Sequence, residues 1–252
     1  PGIEAFQLLS AGDSISLSWE IKRGTAADFG ECVSRTWEYC YDRQNPQPVE
    51  SLYSPENVKS VLSKFFENSF VADKPVKYFS GVELETANCD SKSLAEVGFV
   101  GRTLLNAFNA IEYGDQIGNN VIADNGRAVF DSYLGNGFTP EGLIREKLLF
   151  SEKDNNPVLS IRRQSEGVYA VLLYLRYEKE HGRQHKDWEA CVRSLLDYML
   201  ALQNADGSFP RKFRGDRSLV DSTGGSTPSA TLPLVMGYKY FKDKRYLAAA
   251  KK

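Results

Sequence analysis

The sequence is short of the features that would commit it to a membrane, a nucleic acid or a metal. No apolar run exceeds about eight residues, the longest being 168–175, whereas a helix that spans a bilayer needs about 20. Charge of neither sign dominates: 33 acidic residues face 31 basic ones, the formal net charge is -2 and the isoelectric point is near 5.9. That balance gives no electrostatic reason to expect nucleic acid. The four cysteines, Cys32, Cys40, Cys89 and Cys191, show no CxxC spacing. Cys32 and Cys40 would lie too far apart along one helix to bridge, and all four read as small buried apolar residues. The two histidines, His181 and His185, have no carboxylate cluster at ligand spacing, so no metal is expected. GxSxG, the P-loop and a GxGxxG after a strand are all missing. What remains is the chemistry of carboxylates, arginines and tyrosines, with no cofactor.

At 252 residues there is room for one large domain or two modest ones. The chain opens at Pro1 without a methionine and ends at Lys251-Lys252 inside a helical pattern, with no front segment resembling a signal peptide. It is therefore read as part of a longer protein. Residues 1–24 differ from the rest: Ile15, Leu17, Trp19 and Ile21 alternate with Ser14, Ser16, Ser18 and Glu20, the period of a half-buried strand. The expectation is a short strand that closes a preceding β domain.

From Thr25 the period becomes helical, with Thr25 as the expected N-cap and Phe29, Val33, Trp37 and Cys40 as the stripe. Pro46 and Pro48 end that helix, and Ser54-Pro55-Glu56 opens the next, buried through Val58, Val61, Leu62, Phe65 and Phe66. Residues 77–96 read as loop with one short strand. Further helices are expected over about 97–113, 120–134, 165–180, 186–204 and 229–241, with an eighth from Lys244. Pro233 is tolerable if it lies in a first turn.

Short links at 114–119, 181–185 and 242–244 join helices into pairs, and long loops join one pair to the next. Odd helices are apolar nearly all round and should be inner; even ones carry a single apolar stripe and should be outer. Such hairpins must stack to cover their inner members. The long loops then gather at one end, where helix N-termini present unbonded N–H groups. Three of these mouths, at 91–99, 162–170 and 216–230, are expected to converge on one site.

Three stretches carry a family resemblance: Gln164-Ser-Glu-Gly-Val-Tyr-Ala170, Leu202-Gln-Asn-Ala-Asp-Gly-Ser-Phe-Pro-Arg211 and Asp221-Ser-Thr-Gly-Gly-Ser-Thr-Pro-Ser-Ala230. The turn from Gly237 to Ala250 is of the same kind. With these the chain resembles the six-hairpin glycosidase superfamily over about residues 25–252. The resemblance implies an all-α fold, a helical-hairpin α/α toroid. A full toroid takes twelve helices, so the roughly four hairpins here imply an incomplete one, truncated at the C-terminus. It also implies an oligo- or polysaccharide substrate, and a β domain before the toroid suits residues 1–24.

Glu166 and Asp221 are the candidate catalytic carboxylates, a proton donor and a base or nucleophile. Glu166 is expected in the first turn of a buried helix, beside Arg163, Gln164 and Tyr169. Asp221 lies in a loop of small residues that lets a ligand approach the backbone. Glu96, Arg102, Arg163, Gln164, Tyr169, Phe209, Arg211 and Thr223 are the candidate substrate-binding residues. Phe209 would be a sugar-stacking face, with Phe213 and Trp188 as further candidates; Arg211 and Arg214 would suit an acidic sugar. Glu83 and Glu85 read as the wet face of a strand. The preferred activity is glycoside hydrolysis. A polysaccharide lyase using Tyr169 on a uronate glycan, and a non-catalytic repeat module that binds glycan or protein, stand as alternatives. Oligomeric state and compartment are left open by the sequence.

Overall fold

The structure is a computed structural model that describes residues 9–48, 50–80, 94–98, 102–149 and 157–252. It divides into two compact units, residues 1–52 and 53–252.

In the first unit residues 14–24 form no strand. A strand exists by pairing, and no described residue pairs with them; Leu17, Trp19 and Ile21 are exposed. The helix α1 (Phe29–Gln44) starts later than expected because Asp28, not Thr25, accepts from Glu31 N at 2.8 Å. It closes on Asn45 in the left-handed region, just before Pro46. Its stripe is bare, with Phe29 83% and Trp37 73% exposed, and Cys32 and Cys40 are exposed rather than buried. Polar contacts tie it back to the preceding segment: Tyr39 to Glu20, Arg43 to Glu20, and Arg35 to the Thr25 carbonyl.

The second unit contains α2 (Pro55–Asn68), capped by Ser54 with Pro55 at its first position as the sequence indicates. After it come β1 (Phe70–Val71), β2 (Tyr78–Phe79) and β3 (Leu94–Glu96), then α3 (Thr103–Ile117) and α4 (Asn120–Asn136). Next are β4 (Lys147–Leu149), β5 (Leu159–Ser160), α5 (Ile161–Glu180) and α6 (Lys186–Leu202). The chain continues through β6 (Lys212–Phe213), β7 (Leu219–Asp221), α7 (Pro228–Phe241) and α8 (Lys244–Lys251). Glu83, Glu85, Cys89, Ser91, Phe99 and Val100 lie outside the described residues.

The hairpins α3/α4, α5/α6 and α7/α8 pack as pairs, and α5 touches both α3 and α7. The odd helices thus form one row and α4, α6 and α8 back it, as their apolar patterns require. The stripe Trp188, Val192, Leu195, Met199 and Leu202 buries α6. Phe130 of α4 stacks on Tyr174 of α5 at 3.9 Å and meets Trp188 edge-on. Gly126 lets α3 and α4 touch: a Cβ there would stand 2.6 Å from the Ala107 carbonyl oxygen. The helix α7 departs from expectation. Pro233 is its sixth residue, past the first turn, and Leu232 is 51% exposed. Pro233 therefore costs α7 one internal hydrogen bond while its ring is buried.

The long loops do meet. β3 pairs antiparallel with β4, setting Glu96 opposite Lys147, and β5, β6 and β7 form a second antiparallel sheet. Both sheets lie at the start of α5: β5 runs straight into it, and Glu96 of β3 meets Arg163 in its first turn.

Candidate active site

A cleft of about 570 Å³ opens at that junction. It is lined by Glu146 and Lys147, by Val158, Leu159 and Ser160, by Arg162 and Arg163, by Arg211 and Lys212, and by Ser226. Ser160 organises its floor. As the N-cap of α5 its hydroxyl accepts from Arg163 N, and its own N–H donates to Glu146 Oε1 at 2.5 Å. The helix therefore begins at Ile161, one turn before the expected Ser165.

Glu146 is 5% exposed. Its carboxylate accepts from Ser160 N, Ser160 Oγ and Gln164 Nε2, and Arg163 Nη1 lies 3.8 Å away. Burial outweighs all of these and pushes the carboxyl up to about 7. It is thus a group that holds or releases a proton near neutral pH, the property a general acid–base residue needs. Arg163 stands between two acids, since its Nη2 also reaches Glu96 Oε1 at 2.8 Å, and Glu96 in turn meets Lys147 at 3.9 Å.

Glu166 falls in the second turn of α5, half-buried, with Arg162 Nε 3.1 Å from its Oε1. Asp221 ends β7 and is spent locally: Oδ1 accepts from Thr223 N and Thr223 Oγ1, and Oδ2 meets Arg211 at 3.0 Å. The Thr223 hydrogen bonds and the Arg211 charge hold it below the usual carboxylate range, so it stays ionised. Neither Glu166 nor Asp221 lines the cleft itself; each holds an arginine that does.

The expected substrate-binding residues divide. Arg163 and Arg211 line the cleft, and Glu96 reaches it through Arg163. Gln164 is 2% exposed and bonded through both ends of its amide to the Ile144 backbone, so it positions the Glu146 loop rather than meeting a ligand. Phe209 is 2% exposed in the core, as are Phe213 and Trp188, so none offers a face to a sugar. Their apolar area is worth more inside the protein than in a wet loop. Thr223 bonds Asp221, Arg102 is an exposed N-cap of α3 with φ 41°, and Tyr169 is half-buried on α5 away from the lining.

Sequence reasoning missed Glu146, Lys147, Ser160, Arg162 and Lys212. One signal pointed to Glu146: it shares a period-two face with Ile144 and Leu148, an acid on an apolar face. His181 and His185 lie in the α5–α6 link. There His185 bonds Glu178 at 3.0 Å and Tyr174 at 3.1 Å, and His181 stacks on Tyr177. Among the described residues no three His, Cys, Asp or Glu side chains are grouped to hold a metal. No helix there is long and apolar enough to cross a membrane.

No protein-family model and no curated protein matches the sequence. Solved structures do match the fold. A D-mannose isomerase superposes with a TM-score of 0.58 at 10% identity, over 81% of this chain and 53% of that one. A sugar epimerase from a ruminal bacterium gives 0.56 at 14%, over 75% and 49%. An unsaturated glucuronyl hydrolase with dGlcA-Glc-Rha-Glc gives 0.58 at 15%, over 79% and 55%. These are α/α-toroid proteins, and the fold of this chain is an α/α toroid, spanning about half the length of the structures it matches.

Proposed function

We propose that the cleft at the start of α5 is the sugar-handling site of a carbohydrate-active enzyme, a glycoside hydrolase in which Glu146 is the proton donor. The observation that carries this reading is Glu146 itself: a cleft-lining carboxyl pushed up to about 7 and oriented by Ser160, Gln164 and Arg163. A sugar isomerase, a sugar epimerase and a hydrolase on the same fold agree with a sugar substrate.

In this reading Glu146 takes the role that sequence gave to Glu166. Its proton passes to the glycosidic oxygen as the C–O bond breaks, and Arg163 steadies the carboxylate left behind. Water adds at the anomeric carbon and its proton returns to the Glu146 carboxylate, which restores the donor. Asp221, held ionised outside the lining, aims Arg211 rather than touching the sugar. The lining includes a carboxyl and, among the described residues, no tyrosine, which favours hydrolysis over the lyase alternative.

The test is hydrolysis of an oligosaccharide panel by the chain, with Glu146→Gln and Glu146→Asp beside it. Loss of the proton donor lowers kcat by roughly 10²–10⁴-fold, and the alkaline limb of the pH profile, set by Glu146 near 7, vanishes. A Glu146→Gln variant with unchanged kcat rejects the assignment. Glycan binding without turnover by the unaltered chain would return it to the binding modules.

A further inference from the structure

We infer that the ligand of this cleft is a glycan bearing an anionic substituent, recognised through charge by Arg162, Arg163, Arg211 and Lys212 rather than by aromatic stacking. The inference rests on the reading of the cleft as a sugar site and names the substrate class. Across the whole chain acids outnumber bases, 33 to 31, yet the described lining sets five cations, Lys147, Arg162, Arg163, Arg211 and Lys212, against the single carboxyl of Glu146. With Glu96, Glu166 and Asp221 behind the lining the balance is five cations to four carboxyls, but the cations are the groups that the concave surface presents, where field lines are focused.

Four of these cations meet acids outside the lining: Arg163 and Lys147 share Glu96, Arg162 meets Glu166 and Arg211 meets Asp221. Such pairing fixes where the guanidinium points. Arg211 gives Nη1 to Asp221 while its side chain stays 52% exposed, and a planar fork of five N–H donors suits a carboxylate or a phosphate. Lys212, next to it on β6, is exposed and makes no ion pair among the described residues.

A second, independent observation points the same way. Sites for neutral sugars present aromatic faces to the C–H side of the ring. No aromatic residue is among the described lining, and the three that the sequence offered as stacking faces, Phe209, Phe213 and Trp188, are each no more than 2% exposed. What the described lining offers a ligand is ion pairs and hydrogen bonds.

The test is calorimetric titration of the chain with four probes. They are a uronate-terminated oligosaccharide, its methyl ester, a phosphorylated hexose and a neutral gluco-oligosaccharide, each at low and high salt. The expected result is binding of an acidic probe at least about ten-fold tighter than the ester or neutral glycan, shrinking as salt screens it. Whether uronate or phosphate is preferred identifies the anion. Lys212→Gln and Arg211→Lys, at exposed positions, weaken the acidic probe several-fold and leave the ester as it was. Equal binding of ester and acid, with Glu146-dependent hydrolysis intact, overturns the inference while the sugar reading survives. Binding of none of the four overturns both.

Discussion

Burial pushes the Glu146 carboxyl up to about 7, against 4.5 for an ordinary glutamate, so the proton it holds is linked to folding. Between those values the folded chain keeps the proton and the unfolded chain gives it up. Stability is therefore highest below about 4.5, as far as this group is concerned, and falls as pH rises to about 7. The full effect is on the order of 3 kcal/mol. Glu146→Gln cannot ionise, and its amide oxygen still accepts from Ser160 N and Gln164 Nε2. The variant is expected to melt at or above the unaltered chain at pH 8 and to lose that advantage at pH 4.5. Melting curves of both across that range check it; parallel curves would mean that the carboxyl is not desolvated. Asp221 shows the opposite balance, its hydrogen bonds with Thr223 and Arg211 holding it ionised at a half-buried position. Sequence picked Asp221 because small residues around it are visible in the chain. It passed over Glu146 because the groups that bury and bond it, Ser160 and Gln164, come 14 and 18 residues later.

At the scale of elements, α5 owes its position to what its first turn touches. A Cβ on Gly98 would stand 2.7 Å from Arg163 Cγ, 2.9 Å from Glu166 Oε2 and 3.1 Å from Arg163 Cα. The backbone after β3 thus presses directly on the two side chains that set the cleft's charges. Gly98→Ala is expected to cost about 1–3 kcal/mol, as overpacking does, and to shift Arg163 away from Glu96 and Glu146. Its signature is a lowered melting temperature together with weaker glycan binding; a change in neither would show that the two segments do not press together in solution. Local rules located most helices here. Ser54-Pro55 starts α2, the break between α3 and α4 falls at Gly118-Asn119 within the expected link of 114–119, and the apolar stripes sort inner from outer helices in α3 to α8. The same rules misjudged the faces of α1 and α2, where Phe29, Trp37, Val58, Val61 and Leu62 are exposed, and the start of α3, which is Thr103 rather than about 97. They placed the start of α5 one turn late because Ser160 reads as a cap only once β5 has paired with β6. Phe209 and Phe213 looked like loop residues for the same reason: the sheet that carries Phe213 inward is built from pieces two and three residues long.

For the whole molecule, the contrast is between a unit with an extensive core and one whose described residues bury none. Residues 53–252 bury one large cluster running from Val76 to Ala249 and a small one of Val71, Tyr78 and Ala95, whereas α1 in the first unit buries no residue. A 16-residue helix without a packed face is marginal in water, since nucleation is costly and propensity alone returns little. Its polar ties, Arg43 to Glu20 and Arg35 to Glu31, are exposed ion pairs worth at most about 1 kcal/mol each. Hydrogen exchange should therefore be fast throughout Phe29–Gln44 and slow in Ile161–Glu180, where opening an amide means exposing the core shared with α4 and α6. The measurement is peptide-resolved exchange by mass spectrometry on the chain, with the 161–180 peptides as internal reference. Protection in 29–44 equal to that reference would mean that Phe29, Trp37 and Tyr41 are covered in solution, and a crosslink from those side chains would then identify what covers them.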